Sequence, residues 1–314
     1  AVAEGLLSED IIDRNVRFNI RTMLRLGLMD SSERNPYRDM GFSDVAPWET
    51  AEHKDLARQV TRKSVVLLKN EGGLLPLDKK EVRKIAVIGN RAESVLKDWY
   101  GALPAYSVSA LEGIKAAVEG EDVEVRFQAW DSDGKAQELA AWADVAIVCV
   151  GNHPMTSPDW KWEKIQAPWG EGTVAGDGRE AVDRRSLELE SEDLIKMVWK
   201  ANPNTIVALI SSFPYTIDWT QEHVPSILHV SQCSQELGNA LADVIFGDYN
   251  PAGRLPVTFY ASDADLPDFG DYDMPGHTYR YFEGTPLFPF GHGLSYSTFE
   301  YGEAVLEDGI LRIP

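Results

Sequence analysis

The first part of the chain carries a helical pattern of apolar residues. They recur from Ile12 to Leu24 with a period near 3.6, as on one face of an amphipathic helix. Ser8 can cap the start of such a helix, and Gly27 suits its end. We therefore predict a helix over residues 8–27. Its opposite face carries the basic residues Arg14, Arg17, Arg21 and Arg25.

The next stretch lacks this period. Residues 31–48 contain Ser, Asn, Gly and two Pro without regular spacing, which is typical of a linker. The pattern becomes helical again over residues 49–63, where we predict a second helix.

From residue 65 onward, short apolar runs alternate with helical patterns. The predicted strands are 65–68, 84–89, 123–127, 145–151, 205–210 and 226–230. The helical patterns lie near 108–118, 135–142, 190–201 and 235–246. Runs that are apolar throughout suit strands covered on both faces, so we predict an α/β fold, a doubly wound, mostly parallel sheet sandwiched by helices. Ligands bind outside the carboxyl ends of such strands, which draws attention to the loops after 89, 151 and 211.

Composition and charge exclude several classes of function. The 314 residues are 44% hydrophobic and 25% charged, as in ordinary globular proteins. Fifty acidic against thirty basic residues give a net charge of −20, which argues against a nucleic-acid partner. No apolar run is long enough to predict a membrane span. Two cysteines, Cys149 and Cys233, are too few for a disulfide framework or a cysteine-based zinc site.

Common catalytic motifs are also missing. Neither the glycine-rich dinucleotide fingerprint nor a P-loop occurs in the sequence. There is no G-x-S-x-G motif, and Cys149 lies within an apolar strand, which indicates a buried structural thiol. The histidines show no metal-binding spacing, and the aspartates between 263 and 273 lack that of a calcium loop, so we predict no metal site.

One long loop is rich in tryptophan and carboxylates. Residues 151–184 follow a predicted buried strand, and loops of this length in compact domains are often functional. The loop contains Trp160, Trp162 and Trp169, together with Asp159, Glu163, Glu171, Asp177, Glu180 and Asp183. Indole rings stack on sugar faces, and carboxylates transfer protons, so this composition is expected of a sugar site. A packed flap with core tryptophans explains it equally well.

Four groups of residues, in this order, carry a family resemblance. They are 64–70 with 74–77, 180–184, 238–244 with 247–256, and 279–282 with 289–296. Together they resemble the C-terminal half of glycoside hydrolase family 3. Residues 4–37 resemble the last helix of that family's N-terminal barrel and its linker, and residues from 294 resemble the start of a fibronectin type III-like domain. The resemblance implies three regions, 1–63, 64–293 and 294–314.

The resemblance also implies a reaction and its residues. Such enzymes are retaining exo-acting β-glycosidases, here with glucose expected first and xylose second. The nucleophilic Asp would lie on a (β/α)8 barrel absent from this chain, and a Glu of the α/β domain would be the general acid/base. Glu180 holds that place three residues before Asp183, although Ala181 and Val182 stand where Gly-Tyr is frequent. Glu171 is the second choice and Glu163 a remote third; a surface carboxylate is the alternative interpretation of Glu180.

Aromatic residues complete the expected site. Trp169 and Trp160 are candidate stacking platforms, and Trp99 could wall the leaving-group subsite; packing in the core is the alternative for all three. Lys69 and Asn70 are expected to hold a domain joint rather than to touch sugar.

The expected partners follow from the same resemblance. They are a β-linked oligosaccharide or glycoside and an N-terminal barrel segment or chain. No cofactor is implied, and the chain on its own is expected to be inactive. A non-catalytic sugar-binding or assembly module is the competing hypothesis. The exact sugar, the linkage and the oligomeric state stay open, a homo-oligomer included, while the resemblance favours a periplasmic or secreted location.

Overall fold

A computed structural model describes most of the chain and divides it into two units, Ala1–His53 and Lys54–Pro314. The described residues are 1–34, 37, 46–93, 95, 104–130, 133–152, 186–231 and 234–313. The predicted regional boundaries 1–63, 64–293 and 294–314 remain predictions.

The first unit contains the predicted amphipathic helix. Helix α1 spans Glu9–Arg25, with Ser8 at its N-cap and Leu26 at its C-cap, so the prediction is confirmed to within two residues at each end. Glu9 and Asp10 lie in its first turn, where acidic side chains favour the helix dipole. No residue of α1 is buried, and its apolar side chains are therefore exposed within this unit.

Helix α2 spans Ala51–Ser64. The second unit is built around a six-stranded sheet. Its strands are β1 (Val66–Asn70), β2 (Lys84–Ile88), β3 (Glu124–Gln128), β4 (Val145–Gly151), β5 (Thr205–Ile210) and β6 (Ser226–Val230). Their spatial order is β1-β6-β5-β4-β2-β3, and all neighbours are parallel except β1, which is antiparallel to β6. The predicted mostly parallel sheet is confirmed.

Helices cover both faces of this sheet. They are α3 (Ala110–Ala117), α4 (Lys135–Trp142), α5 (Glu192–Ala201), α6 (Asp218–His223) and α7 (Leu237–Ile245). A short helix further along the chain, α8 (Thr278–Tyr281), has no buried residue. Ile85 and Val87 pack into the core that α3 and α7 cover, whereas Ala86 and Ile88 face the core under α4 and α5. This alternation explains why a central strand such as β4 is apolar throughout, since each face buries side chains worth about 1.5–3 kcal/mol apiece.

The carboxyl-terminal segment contains a further hairpin. Strands β7 (Val305–Glu307) and β8 (Ile310–Arg312) pair antiparallel, and all their residues are exposed. The segment before them is tied to the sheet unit, because the amide of Leu294 donates to the carbonyl of Leu67 over 2.8 Å. Among the described residues, no helix is long and apolar enough to cross a membrane.

Candidate functional site

The carboxyl ends of the parallel strands form the edge where ligands are expected. Strand β2 connects outward to β3 on one side, and β4 connects to β5 on the other, so the strand order reverses between β2 and β4. This reversal opens a crevice at the strand ends in doubly wound sheets. The loops after residues 89, 151 and 211 all begin at this edge, as their positions in the sequence predict.

Two glycines shape this edge. Gly89 has φ +112°, and a Cβ there would lie 2.2 Å from the carbonyl oxygen of Cys149. Gly151 has φ +133°, and its Cβ would lie 2.0 Å from the carbonyl oxygen of Ile210. Both distances are too short for a Cβ atom beside a main-chain carbonyl, so both positions require glycine. The chain can therefore turn away at the end of β2 and of β4 while the strands remain closely paired.

Polar residues follow each glycine. Arg91 is buried, and its Nε donates to the carbonyl of Gly151 over 3.3 Å, which links the loops after β2 and β4. Asn152 is 0% exposed, and its Oδ1 accepts from the amide of Ser212 over 3.3 Å. Within the described part of the chain, its Nδ2 has no hydrogen-bond partner. These contacts place one buried cation and one buried amide at the crevice.

A serine and a histidine also meet near this edge. The Ser211 hydroxyl donates to the carbonyl of Phe213 over 3.1 Å, and Nε2 of His229 lies 3.2 Å from its oxygen. Burial lowers the pKa of His229 to about 4, so its ring is neutral near pH 7. The Ser211 hydroxyl thus joins the end of β5 to the loop that follows it and to the buried ring of β6.

The segment 153–185 is bracketed by well-bonded residues. On its amino-terminal side, the amide of Asn152 donates to the carbonyl of Ile210 over 3.2 Å. On its carboxyl-terminal side, Leu187 accepts at its carbonyl from the amide of Thr216 over 2.9 Å, and its own amide donates to Oδ1 of Asp263 over 2.8 Å. The residues that flank the segment therefore bond to the end of β5 on one side and to the connection between β5 and α6 on the other.

An acidic cavity of about 530 Å³ lies beside the carboxyl-terminal attachment. Among the described residues, its charged lining consists of Glu188, Glu190, Glu192, Asp193, Asp218, Asp263 and the cation Lys196. The Lys196 ammonium lies 3.1 Å from Glu192, whose hydrogen bond raises the pKa of the lysine. In the described part of the chain, no group of three or more His, Cys, Asp or Glu could hold a metal ion.

The predicted catalytic and sugar-binding residues lie outside the described residues. This holds for Glu180, Glu171, Trp169 and Trp160 within 153–185, and for Trp99 within 96–103. Their roles remain predictions.

Lys69 and Asn70 have structural contacts. The Lys69 ammonium donates to the carbonyls of Gln221 and Glu222 at the end of α6, where the helix dipole favours a cation. The Asn70 side chain bonds both the amide and the carbonyl of Leu75, which fixes the turn after β1. Both residues therefore hold the α/β unit together.

Sequence reasoning missed Asn152 and Asp263. Asn152 directly follows an apolar run and begins a loop that the sequence already marks as a candidate for ligand binding. Its position could therefore have identified it. Asp263 gave no signal, because the sequence showed it only as one of several aspartates that lack the spacing of a calcium loop. Its partner Leu187 lies 76 residues away in the chain, and no local pattern connects them.

A comparison with known protein families shows to which family this chain belongs. A model of the glycosyl hydrolase family 3 C-terminal domain matches residues 65–296. The chain belongs to this family. It is 31% identical over 320 residues to a β-xylosidase of Formosa agariphila, covering 95% of this chain and 40% of the relative. It is 30% identical to a periplasmic β-glucosidase of Salmonella typhimurium, covering 99% of this chain and 44% of that protein.

A solved structure agrees with the family assignment. The β-glucosidase from Erythrobacter marinus superimposes with a TM-score of 0.73 at 31% identity, covering 97% of this chain and 42% of that one. The family 3 chain thus spans roughly two fifths of the length of these relatives, and its α/β sandwich corresponds to part of larger glycosidases.

Proposed function

We propose that this chain is the part of a retaining exo-β-glycosidase that supplies the general acid/base. The nucleophilic Asp lies on an N-terminal (β/α)8 barrel outside the chain. The observation that carries the proposal is the family 3 match over residues 65–296. The names of the relatives, β-xylosidase and β-glucosidase, support cleavage of β-glycosides.

Glu180 is the proposed acid/base, with Glu171 as second choice. Retaining hydrolysis requires two carboxyl groups about 5–5.5 Å apart, one attacking the anomeric carbon and one protonating the leaving oxygen. The proton donor needs a raised pKa, which burial or the neighbouring carboxylate provides. In the sequence, both glutamates lie between Asn152, which is bonded to the carboxyl end of β5, and Leu187, which is bonded to the loop that follows β5. Substrates bind at the carboxyl ends of the strands in such folds. Trp169, Trp160 and Trp99 would stack on the sugar rings.

Mutation of the two glutamates tests the assignment in the protein that includes its barrel. Glu180→Gln should lower turnover of substrates with poor leaving groups by on the order of 10²–10⁴. Added azide should restore part of the turnover of activated aryl glycosides, because azide attacks the glycosyl-enzyme without a general base. Normal activity of Glu180→Gln with loss in Glu171→Gln would move the role to Glu171.

A matched control separates catalysis from general damage. Glu119→Gln removes an exposed carboxylate just beyond α3 and should keep full activity. If neither glutamine variant at 180 or 171 lost activity, the acid/base assignment would be wrong. If the protein with its barrel bound sugars but did not hydrolyse them, the sugar-binding module would replace the enzyme as the proposal. The 314-residue chain alone should not hydrolyse aryl β-glucosides.

The terminal sugar is either glucose or xylose. The fold does not separate them, and relatives of both kinds match the chain over almost its whole length. The ratio of kcat/KM for 4-nitrophenyl β-glucoside and β-xyloside decides between them. The periplasmic relative supports a periplasmic or secreted location, which cell fractionation tests.

A further inference from the structure

One edge of the six-stranded sheet is completely buried. Strand β1 lies at the end of the strand order and pairs on one side with β6. The side chains of Val65, Val66, Leu67 and Leu68 are nonetheless at most 2% exposed. A bare edge strand with such an apolar sequence pairs readily with strands of other molecules, because its outer amides and carbonyls can form a new ladder. In this fold another part of the chain covers the outer side of β1.

The opposite edge of the sheet is protected in a different way. Strand β3 lies there, and its residues Glu124 and Arg126 are exposed. Their side chains form an ion pair, with 2.7 Å between the arginine Nε and the glutamate Oε1. Charged side chains on an edge strand oppose pairing with another molecule. Residues 65–68 carry no charge, so β1 depends on its cover for the same protection.

Residues 288–297, here called the cover segment, bond to the outer side of β1. The amide of Leu294 donates to the carbonyl of Leu67 over 2.8 Å, and the two residues form an antiparallel bridge. The register between β1 and β6 shifts across Leu68. At this irregularity, Nε2 of His292 donates to the carbonyl of Leu68 over 2.8 Å. The cover segment thus bonds two successive carbonyls of β1.

Two glycines allow this close approach. A Cβ on Gly293 would lie 2.2 Å from the carbonyl oxygen of Gly253, and a Cβ on Gly253 would lie 2.4 Å from the carbonyl oxygen of Val65. The amide of Gly253 also donates to that Val65 carbonyl over 3.2 Å. Main-chain atoms leave no room for a side chain at either position. The cover segment therefore packs by main-chain contact against residue 253, which packs in the same way against β1.

Asn250 fixes the carboxyl-terminal end of the cover segment. Its Oδ1 accepts from the amide of Tyr296 over 2.8 Å and from the hydroxyl of Ser295 over 3.0 Å. Its Nδ2 donates to the hydroxyl of Ser297 over 3.0 Å. The Tyr296 hydroxyl in turn donates to the carbonyl of Val244 on α7 over 2.7 Å. Because Asn250 is exposed, this attachment can open without unfolding the core of the sheet.

We propose that the cover segment is an edge guard, which keeps β1 from pairing with β1 of a second copy of this chain, and that Asn250 is its latch. Two β1 strands related by a two-fold axis would bring two copies of the apolar run 65–68 side by side. They would also bond the outer carbonyls that the cover segment bonds within one chain. The guard is independent of the proposed glycosidase activity.

Amide hydrogen exchange in the 314-residue chain tests the latch. Asn250→Ala should speed exchange at Leu294 by at least about 3-fold, because the hydrogen bonds that hold the cover segment closed are lost. Asn204→Ala is the matched control, since Asn204 is also exposed and its side chain also donates to a main-chain carbonyl, that of Asp144. Exchange at Leu294 should not change in this control. Unchanged exchange in Asn250→Ala would overturn the latch.

A labelled peptide that copies residues 64–70 tests the edge itself. In fluorescence anisotropy, Asn250→Ala should bind it at least about 3-fold more tightly than the wild type and Asn204→Ala do, because apparent affinity rises with the fraction of open molecules. A Leu67→Pro version of the peptide lacks a ladder amide and should not bind. By light scattering, the average mass should rise with concentration more steeply in Asn250→Ala than in the wild type. Faster exchange at Leu294 without a response of both the peptide and the mass would overturn the guard.

Discussion

The guanidinium of Arg58 on α2 holds the carboxylate of Asp243 on α7 through two hydrogen bonds. Nε donates to Oδ2 over 2.8 Å, and Nη2 donates to Oδ1. The Asp243 side chain is only 6% exposed and that of Arg58 is 40% exposed, so the carboxylate of this pair is buried while the arginine side chain is exposed. The carboxylate raises the pKa of the guanidinium, chiefly through the hydrogen bond. Helix α2 is thereby joined to the helix layer that covers one face of the sheet.

Removing the arginine should destabilise the domain measurably. Arg58→Ala leaves the buried Asp243 carboxylate without its cation, and we expect a loss of about 1–3 kcal/mol in the free energy of unfolding. Urea titration followed by circular dichroism measures this loss. The control is Lys79→Ala, which breaks the more exposed pair with Asp248 and should cost less than about 1 kcal/mol. Equal effects of the two variants would contradict a special role for Arg58.

A glycine pair allows α3 and α7 to pack closely. A Cβ on Gly238 would lie 1.8 Å from the carbonyl oxygen of Ser109, and one on Gly113 would lie 2.1 Å from the carbonyl carbon of Gly238. Main-chain atoms cannot move aside cheaply, so Gly238→Ala should cost at least about 2 kcal/mol of unfolding free energy. Gly270→Ala is the control, since its nearest neighbour would be 3.7 Å away. A Gly238→Ala protein with the wild-type melting temperature would show that the helices can separate freely.

His229 should give stability a specific pH dependence. Burial lowers its pKa to about 4 from the ordinary 6.5, so between these values the unfolded chain binds a proton that the folded chain does not. The free energy of unfolding should therefore fall as the pH drops from 6.5 towards 4, by on the order of 2–3 kcal/mol from this residue, and the effect should level off below pH 4.

The measurement compares wild type with His229→Gln in urea titrations between pH 4 and pH 8. Carboxylates titrate in both proteins, so their contribution cancels in the difference. The difference should shrink as the pH falls, because glutamine has no proton to bind. A constant difference across this range would mean that His229 titrates normally in the folded protein.

Cys149 should be chemically inert in the folded protein. It lies within β4, is completely buried, and burial raises the pKa of its thiol to about 12. In a Cys233→Ser variant, which leaves one thiol to follow, a disulfide reagent at pH 8 should react on the time scale of unfolding and within seconds in denaturant. Fast labelling of the native variant would contradict the buried position.

The sequence alone predicted the elements of the sheet. The runs 84–89, 145–151 and 205–210 are apolar on both faces, and each became a parallel strand within a residue of its predicted ends. The amphipathic helix α1 was also predicted from the sequence, because the period of its apolar residues is a local property of the chain. Helices α6 and α8 escaped prediction, since six and four residues are too short for a period to show.

Only the tertiary structure decided how these elements meet. A run of apolar residues does not encode the direction in which its strand pairs. Nothing in residues 65–68 therefore indicated that β1 would pair antiparallel with β6. Arg58 and Asp243 are 185 residues apart, and Leu187 and Asp263 are 76 apart. Such pairs form because the sheet brings distant loops together and burial makes an unpaired polar group costly, and no local pattern encodes that encounter.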